Sequence, residues 1–70
     1  MGERIDLKSI GEKLTQLRGK KSQAKVAKDI GISASALGMY EQGRRMPRDE
    51  VKIKIANYYK VPVASIFYAT

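Results

Sequence analysis

The side chains in this sequence that could do chemistry are cations, and they are crowded into one segment. Between residues 18 and 48 stand Arg18, Lys20, Lys21, Lys25, Lys28, Arg44, Arg45 and Arg48, opposed only by Asp29 and Glu41. Eight cations against two carboxylates place most of the formal charge of +7 in that stretch. Clustered guanidinium and ammonium groups neutralise phosphates and release their counterions, which is what holding a nucleic-acid backbone requires. A basic surface also serves solubility or adhesion to anionic lipid. Other chemistries lack their residues. With no histidine, no cysteine, no Gly-rich phosphate loop and no metal-ligand spacing, thiol, metal and Ser–His chemistry have no carriers. Catalysis by two carboxylates would fall to Asp6, Glu12, Asp29, Asp49 or Glu50, which read as helix-end or surface residues. The sequence reads as a non-enzymatic one with no cofactor and no metal.

The elements that must position these cations centre on Ser22 to Gly43. Ser22 is a good N-cap, since its hydroxyl satisfies a free N–H at a helix start. Val26, Ala27 and Ile30 then share one helical face. Gly31 sits where a left-handed C-cap is wanted. Ser33 caps a second helix, in which Leu37 and Tyr40 point inward at i, i+3. Two short helices joined by so short a turn make a helix-turn-helix. Ser33, Ala34, Ser35, Gly38 and Met39 are left for the outer face of the second helix. Small outer residues permit close approach to the floor of a DNA major groove. Gly38 costs about 1 kcal/mol of helix propensity against Ala, which argues for such an approach. Met39 has a minor core position as its alternative.

The flanking chain supplies the rest of a small domain. Residues 1–8 read as an N-terminal arm carrying Arg4 and Lys8, and residues 9–70 as one domain. Ser9 and Glu12 fit a capping box, with Ile10, Leu14 and Leu17 forming a stripe to Arg18 and Gly19-Lys20-Lys21 turning the chain. Gly43 to Arg48 is a basic loop in which Pro47 bars continuation of the preceding helix. Its arginines read as phosphate clamps or as a solvated loop. Val51 to Ile55 alternates apolar and basic residues like a strand, but no partner strand is evident. Acidic Asp49 and Glu50 suit a helix start, and the spacing of Val51, Ile55, Ala56 and Tyr59 favours a helix, leaving Ile53 off its main face. Val63, Ile66 and Phe67 form a last short apolar helix after Pro62. The expected architecture is all-α, five helices in one compact domain. No apolar run is long enough to span a bilayer and no signal-peptide pattern is present, so a cytoplasmic home is expected.

Taken in order, Ile10-Gly11, Leu17-Arg18, Ser22-Gln23, Val26-Ala27, Ile30 to Ser33, Leu37, Tyr40 to Gly43, Pro47 and Ile55-Ala56 resemble the XRE-type helix-turn-helix family of phage repressors and Cro-like regulators. The resemblance spans roughly residues 9 to 67. Two departures stand out: only three residues separate Arg18 from Ser22, and Lys52 occupies a position where the family usually has leucine. The resemblance implies a lambda-repressor-like fold and a sequence-specific, double-stranded-DNA-binding transcriptional regulator. It further implies a brace between Arg18 and Glu41, for which solvated surface charges are the alternative, and a Gln23 that holds a phosphate and braces the reading helix. With Gln23, the phosphate contacts would be Lys21, Ser22, Arg44, Arg45 and Arg48. A repressor acting on a palindromic operator as a homodimer is expected, with Ile53, Ile66, Phe67 and Tyr68 at the dimer interface; Ile66 and Phe67 could instead only close the monomer core. The competing reading is an antitoxin that binds its own promoter and copurifies with a small toxin.

Overall fold

The computed structural model describes residues 6–68. It consists of α1 (Leu7–Arg18), α2 (Gln23–Ile30), α3 (Ala34–Glu41), α4 (Asp49–Tyr59) and a closing turn α5 (Ala64–Tyr68) wound as a π-helix. No strand occurs among the described residues, so the alternation over Val51 to Ile55 is helical. Asp49 and Glu50 occupy the positive first turn of α4, and Ile55 and Ala56 turn into the core. Ile53 is left outside at 52% exposure, as its register predicts.

The predicted caps hold at α2 and α3. The Ser22 hydroxyl accepts from the Lys25 N–H and the Ser33 hydroxyl from the Ala36 N–H, both at 3.0 Å. Gly31 closes α2 in the left-handed region at φ 94°. The start of α1 differs from expectation. Asp6, not Ser9, is the N-cap, its carboxylate accepting from the Lys8 and Ser9 N–H groups at 3.1 and 3.4 Å. A carboxylate both caps and complements the helix dipole, so α1 takes in Leu7 and Lys8, which the sequence assigns to an arm. Residues 1–5, including Arg4, lie outside the described part.

One core holds the five elements together. Leu14, Val26, Leu37, Ile55 and Phe67 are fully buried, joined by Ile10, Ala27, Ile30, Ala56 and Ile66. Ile66 and Phe67, expected at a dimer interface, are thus core residues at 2% and 1% exposure. A domain this small has few other side chains with which to close its C-terminal end. Lys13 ties the same end down by donating to the Ser65 carbonyl at 2.7 Å. α1 crosses the end of α3 at backbone contact: a Cβ on Gly11 would overlap the Glu41 carbonyl and stand 3.0 Å from the Gly43 nitrogen. Gly43, at φ 74°, also meets the α1 backbone: a Cβ there would stand 2.9 Å from the Leu7 carbonyl oxygen.

Candidate nucleic-acid interface

The site is built around the carboxylate of Glu41, at the end of α3. Arg18 Nε donates to Glu41 Oε2 at 2.7 Å and Arg18 Nη2 to Glu41 Oε1 at 3.1 Å, a bidentate pair. Gln23 Nε2 donates to Oε1 at 2.7 Å. The remaining Arg18 nitrogen, Nη1, donates to the Lys21 carbonyl at 2.7 Å. One carboxylate therefore fixes α3 to α1, to the first residue of α2 and, through Arg18, to the short turn between those helices. The tight spacing after Arg18 is what brings the Lys21 carbonyl within reach. The Arg18 pKa is raised above its ordinary value, chiefly by the hydrogen bond to Glu41. Tyr59, on α4, has its phenol pushed up to about 12 by burial and then by the Glu41 charge. Its hydroxyl oxygen is buried without a hydrogen-bond partner among the described residues.

This brace sets what α3 shows. Ser33, Ala34 and Ser35 are exposed at its start and Met39, at 36%, toward its end. Gly38 does not belong to that face. It is buried beneath the side chain of Gln23, whose Oε1 would stand 3.6 Å from a Cβ placed there. The reading face is therefore Ser33, Ala34, Ser35 and Met39, and position 38 packs against the Gln23 side chain.

Exposed cations flank both ends of the helical pair. Lys21 and Ser22 precede α2, while Arg44, Arg45 and Arg48 line the loop after α3; all five are exposed. Arg45 and Arg48 stand with Tyr40, Met46, Glu50 and Val51 around an open depression. Lys21 is not free-swinging: its Nζ lies 5.0 Å from the centre of the Tyr58 ring and 3.5 Å from the Tyr58 hydroxyl. That hydroxyl donates to Asp29 at 2.8 Å, and Asp29 also pairs with Lys25 at 3.2 Å. The Asp29 carboxyl is lowered from its ordinary value, first by the Tyr58 bond and then by Lys25. Sequence reasoning missed this link between α2 and α4, since Asp29 and Tyr58 are far apart in the chain. It also missed the inward aim of Lys52, although residues 52, 55, 56 and 59 share one helical face.

A helix-turn-helix family model matches residues 14–66, and the chain belongs to that family. It is a DNA-binding transcriptional regulator of the XRE type. Among solved structures it is similar to the restriction-modification controller protein C.AhdI from Aeromonas hydrophila, at 28% identity and a TM-score of 0.79, over 89% of this chain and 93% of that one. The DNA-binding domain of BldD is similar at 27% identity and a TM-score of 0.72, over the same 89% and 93%. The SOS-response transcriptional repressor LexA from Eubacterium rectale shares the fold, at 21% identity and a TM-score of 0.85, over 100% of this chain and 77% of that one. No curated protein matches the chain. Among the described residues no helix is long and apolar enough to cross a membrane.

Proposed function

We infer that this protein is a sequence-specific repressor that acts in the cytoplasm and binds a palindromic operator as a two-fold dimer. Helix α3 enters the major groove through Ser33, Ala34, Ser35 and Met39, and α2 crosses the backbone. Lys21, Ser22, Arg44, Arg45 and Arg48 hold phosphates, and Gln23 contributes its backbone N–H at the start of α2. The observation that carries this reading is the brace on Glu41, because it rigidly presents a helix whose exposed face is small and uncharged between two sets of exposed cations. That C.AhdI, at 28% identity, is a controller protein supports a regulatory role. One such helix spans few base pairs, so two half-sites about one helical turn, ~34 Å, apart are needed for useful specificity. Exposed Ile53 and Tyr68 supply apolar surface for the pairing.

The reading face holds no Arg, Asn or Gln, the side chains that make bidentate contacts to guanine or adenine. The two serine hydroxyls discriminate weakly, and Ala34 and Met39 suit thymine methyls. Selection of bound duplexes from a random pool tests the whole reading. It should return a palindrome with thymine at one or two positions per half-site, and with preference at central base pairs that reflects DNA shape. On that operator, log K should fall with log[salt] at a slope of roughly −4 to −7, and Arg44→Ala or Arg45→Ala should each flatten it by about 1. Salt-independent binding would overturn the nucleic-acid reading. Replacing an operator thymine by uracil removes only the methyl. Tolerance of every such change, together with one indispensable guanine, would move base reading away from α3.

A further inference from the structure

Lys21 is held at both ends. Its backbone carbonyl accepts from Arg18 Nη1 at 2.7 Å, and its N–H donates to the Arg18 carbonyl at 3.2 Å. Its Nζ lies 5.0 Å from the centre of the Tyr58 ring and 3.5 Å from the Tyr58 hydroxyl. An ammonium over an aromatic face is attracted by the ring's quadrupole. The ring is itself fixed. Its hydroxyl donates to Asp29 Oδ2 at 2.8 Å, and it meets the Tyr59 ring edge-on, with centroids 5.2 Å apart. Both tyrosines pack against the core. Tyr58, on α4, thus spans from the residue before the α2 cap to Asp29 near the end of that helix. Its neutrality matters. Asp29 is engaged by the Tyr58 hydroxyl and by Lys25 at 3.2 Å, and Lys21 acts on it only weakly, behind those two. Among the described residues no carboxylate stands within ion-pair reach of Lys21. A carboxylate partner would compete with a phosphate for the ammonium, whereas a phenol holds it without neutralising it. The ammonium carries more donors than the one that the hydroxyl takes.

We propose that Tyr58 is a positioning residue for DNA binding: its ring holds the Lys21 ammonium, still charged, beside the start of α2 where a DNA phosphate is met. The proposal rests on the reading of Lys21 as a phosphate contact. Lysine is among the side chains with the most rotamer freedom to lose on binding. Ordering it in the free protein removes part of that cost before DNA arrives. The backbone of Lys21 is tied through Arg18 to Glu41, and so to the end of α3. A phosphate caught by Lys21 is thereby registered to the helix that enters the groove.

Binding of the full chain to a short duplex of arbitrary sequence, across a salt series, tests this, because phosphate contacts supply nearly all of such binding. The variants are Lys21→Ala, Tyr58→Leu, Tyr58→Phe and the double Lys21→Ala/Tyr58→Leu, each measured below its melting temperature. Lys21→Ala should flatten the slope of log K against log[salt] by about 1. Tyr58→Leu should weaken binding about two- to fivefold with the slope unchanged. Tyr58→Phe keeps the ring and should bind more tightly than Tyr58→Leu. The double variant should bind no more weakly than Lys21→Ala, whereas a merely structural role for Tyr58 would carry its loss into that background. A Tyr58→Leu variant that binds as tightly as the wild type or tighter, a Tyr58→Phe variant as weak as Tyr58→Leu, or an undiminished loss in the double variant overturns the role of Tyr58. A flattened slope in Lys21→Ala would still keep Lys21 as a phosphate contact. An unchanged slope there removes that contact, and the proposal with it. Should Tyr58→Leu fail to fold, proton NMR of the wild type carries the test. The ring current should move the Lys21 ε-methylene protons upfield of those of exposed Lys20 and Lys28, and the shift should persist on the duplex. Its absence in the free protein, or its loss on DNA, overturns the proposal.

Discussion

Among the described residues two charged side chains, Glu41 and Lys52, are buried, and they are buried in different ways. Glu41, 9% exposed, accepts hydrogen bonds from two nitrogens of Arg18 and one of Gln23, each of which is itself at least partly buried. Lys52, 7% exposed, makes one hydrogen bond to a half-exposed tyrosine and a longer pair with Asp49, whose side chain is 92% exposed. Removing Glu41 would leave a partly buried guanidinium and amide without the acceptor they share. Removing Lys52 would strand nothing, because each of its polar partners already reaches solvent. The cost of a buried charge lies mostly in what its deletion leaves behind. The first is therefore structural in the strict sense, and the second is not.

Glu41→Ala should show the largest effect, a loss of about 3–5 kcal/mol in urea unfolding, the range for breaking one side of a buried pair. A double-mutant cycle with Arg18→Ala should return roughly 0.5–3 kcal/mol of coupling; additive losses would mean that the brace does not form. Next comes Gly11→Ala, which pushes a methyl against the Glu41 backbone and should cost about 1–3 kcal/mol. Little or no loss there would show that α1 and α3 can separate without disturbing the brace.

Lys52→Met should run opposite to Glu41→Ala, leaving stability unchanged or higher in the same denaturation series. A loss comparable to that of Glu41→Ala would erase the distinction between the two sites. Gly38→Ala should raise stability by up to about 1 kcal/mol, since the added methyl gains helix propensity and meets Gln23 at ordinary contact distance. A drop in melting temperature instead would mean that Gln23 has no slack. The smallest effect at neutral pH concerns Tyr59, whose phenol titrates at about 12 in the folded chain and near 10 when unfolded. Between those values the unfolded chain has released a proton that the folded chain keeps, so stability falls as pH rises through that window. Tyr59→Phe should flatten this alkaline limb and leave the acid side unchanged.

What the sequence by itself determined is what depends on neighbours along the chain. Ser22, Gly31 and Ser33 punctuate α2 and α3 through bonds to groups within a few residues, and their spacing alone marks the helix-turn-helix. The apolar faces of α1, α2 and α4 follow from period and place Leu14, Val26 and Ile55 in the core. Asp6 shows the limit of such local signals: Ser9 and Glu12 fit a capping box, yet the Asp6 carboxylate caps the helix three residues earlier. The pairing of Arg18 with Glu41 was legible through family resemblance, not through spacing.

Only the tertiary structure decided which side of each short element faces another. Gly38 reads from sequence as a cleared reading surface, but the crossing of α2 over α3 puts Gln23 on top of it. Ile66 and Phe67 read as surplus apolar surface until α5 folds back against α1 and buries them. Lys52 stands out in the sequence only as a lysine where the family usually has leucine, until Tyr68 and Phe67 arrive from α5 to receive its ammonium. The physical reason is common to all three. A short helix offers every side chain a direction, but whether that direction ends in water, in core or on an aromatic ring depends on residues distant in the chain.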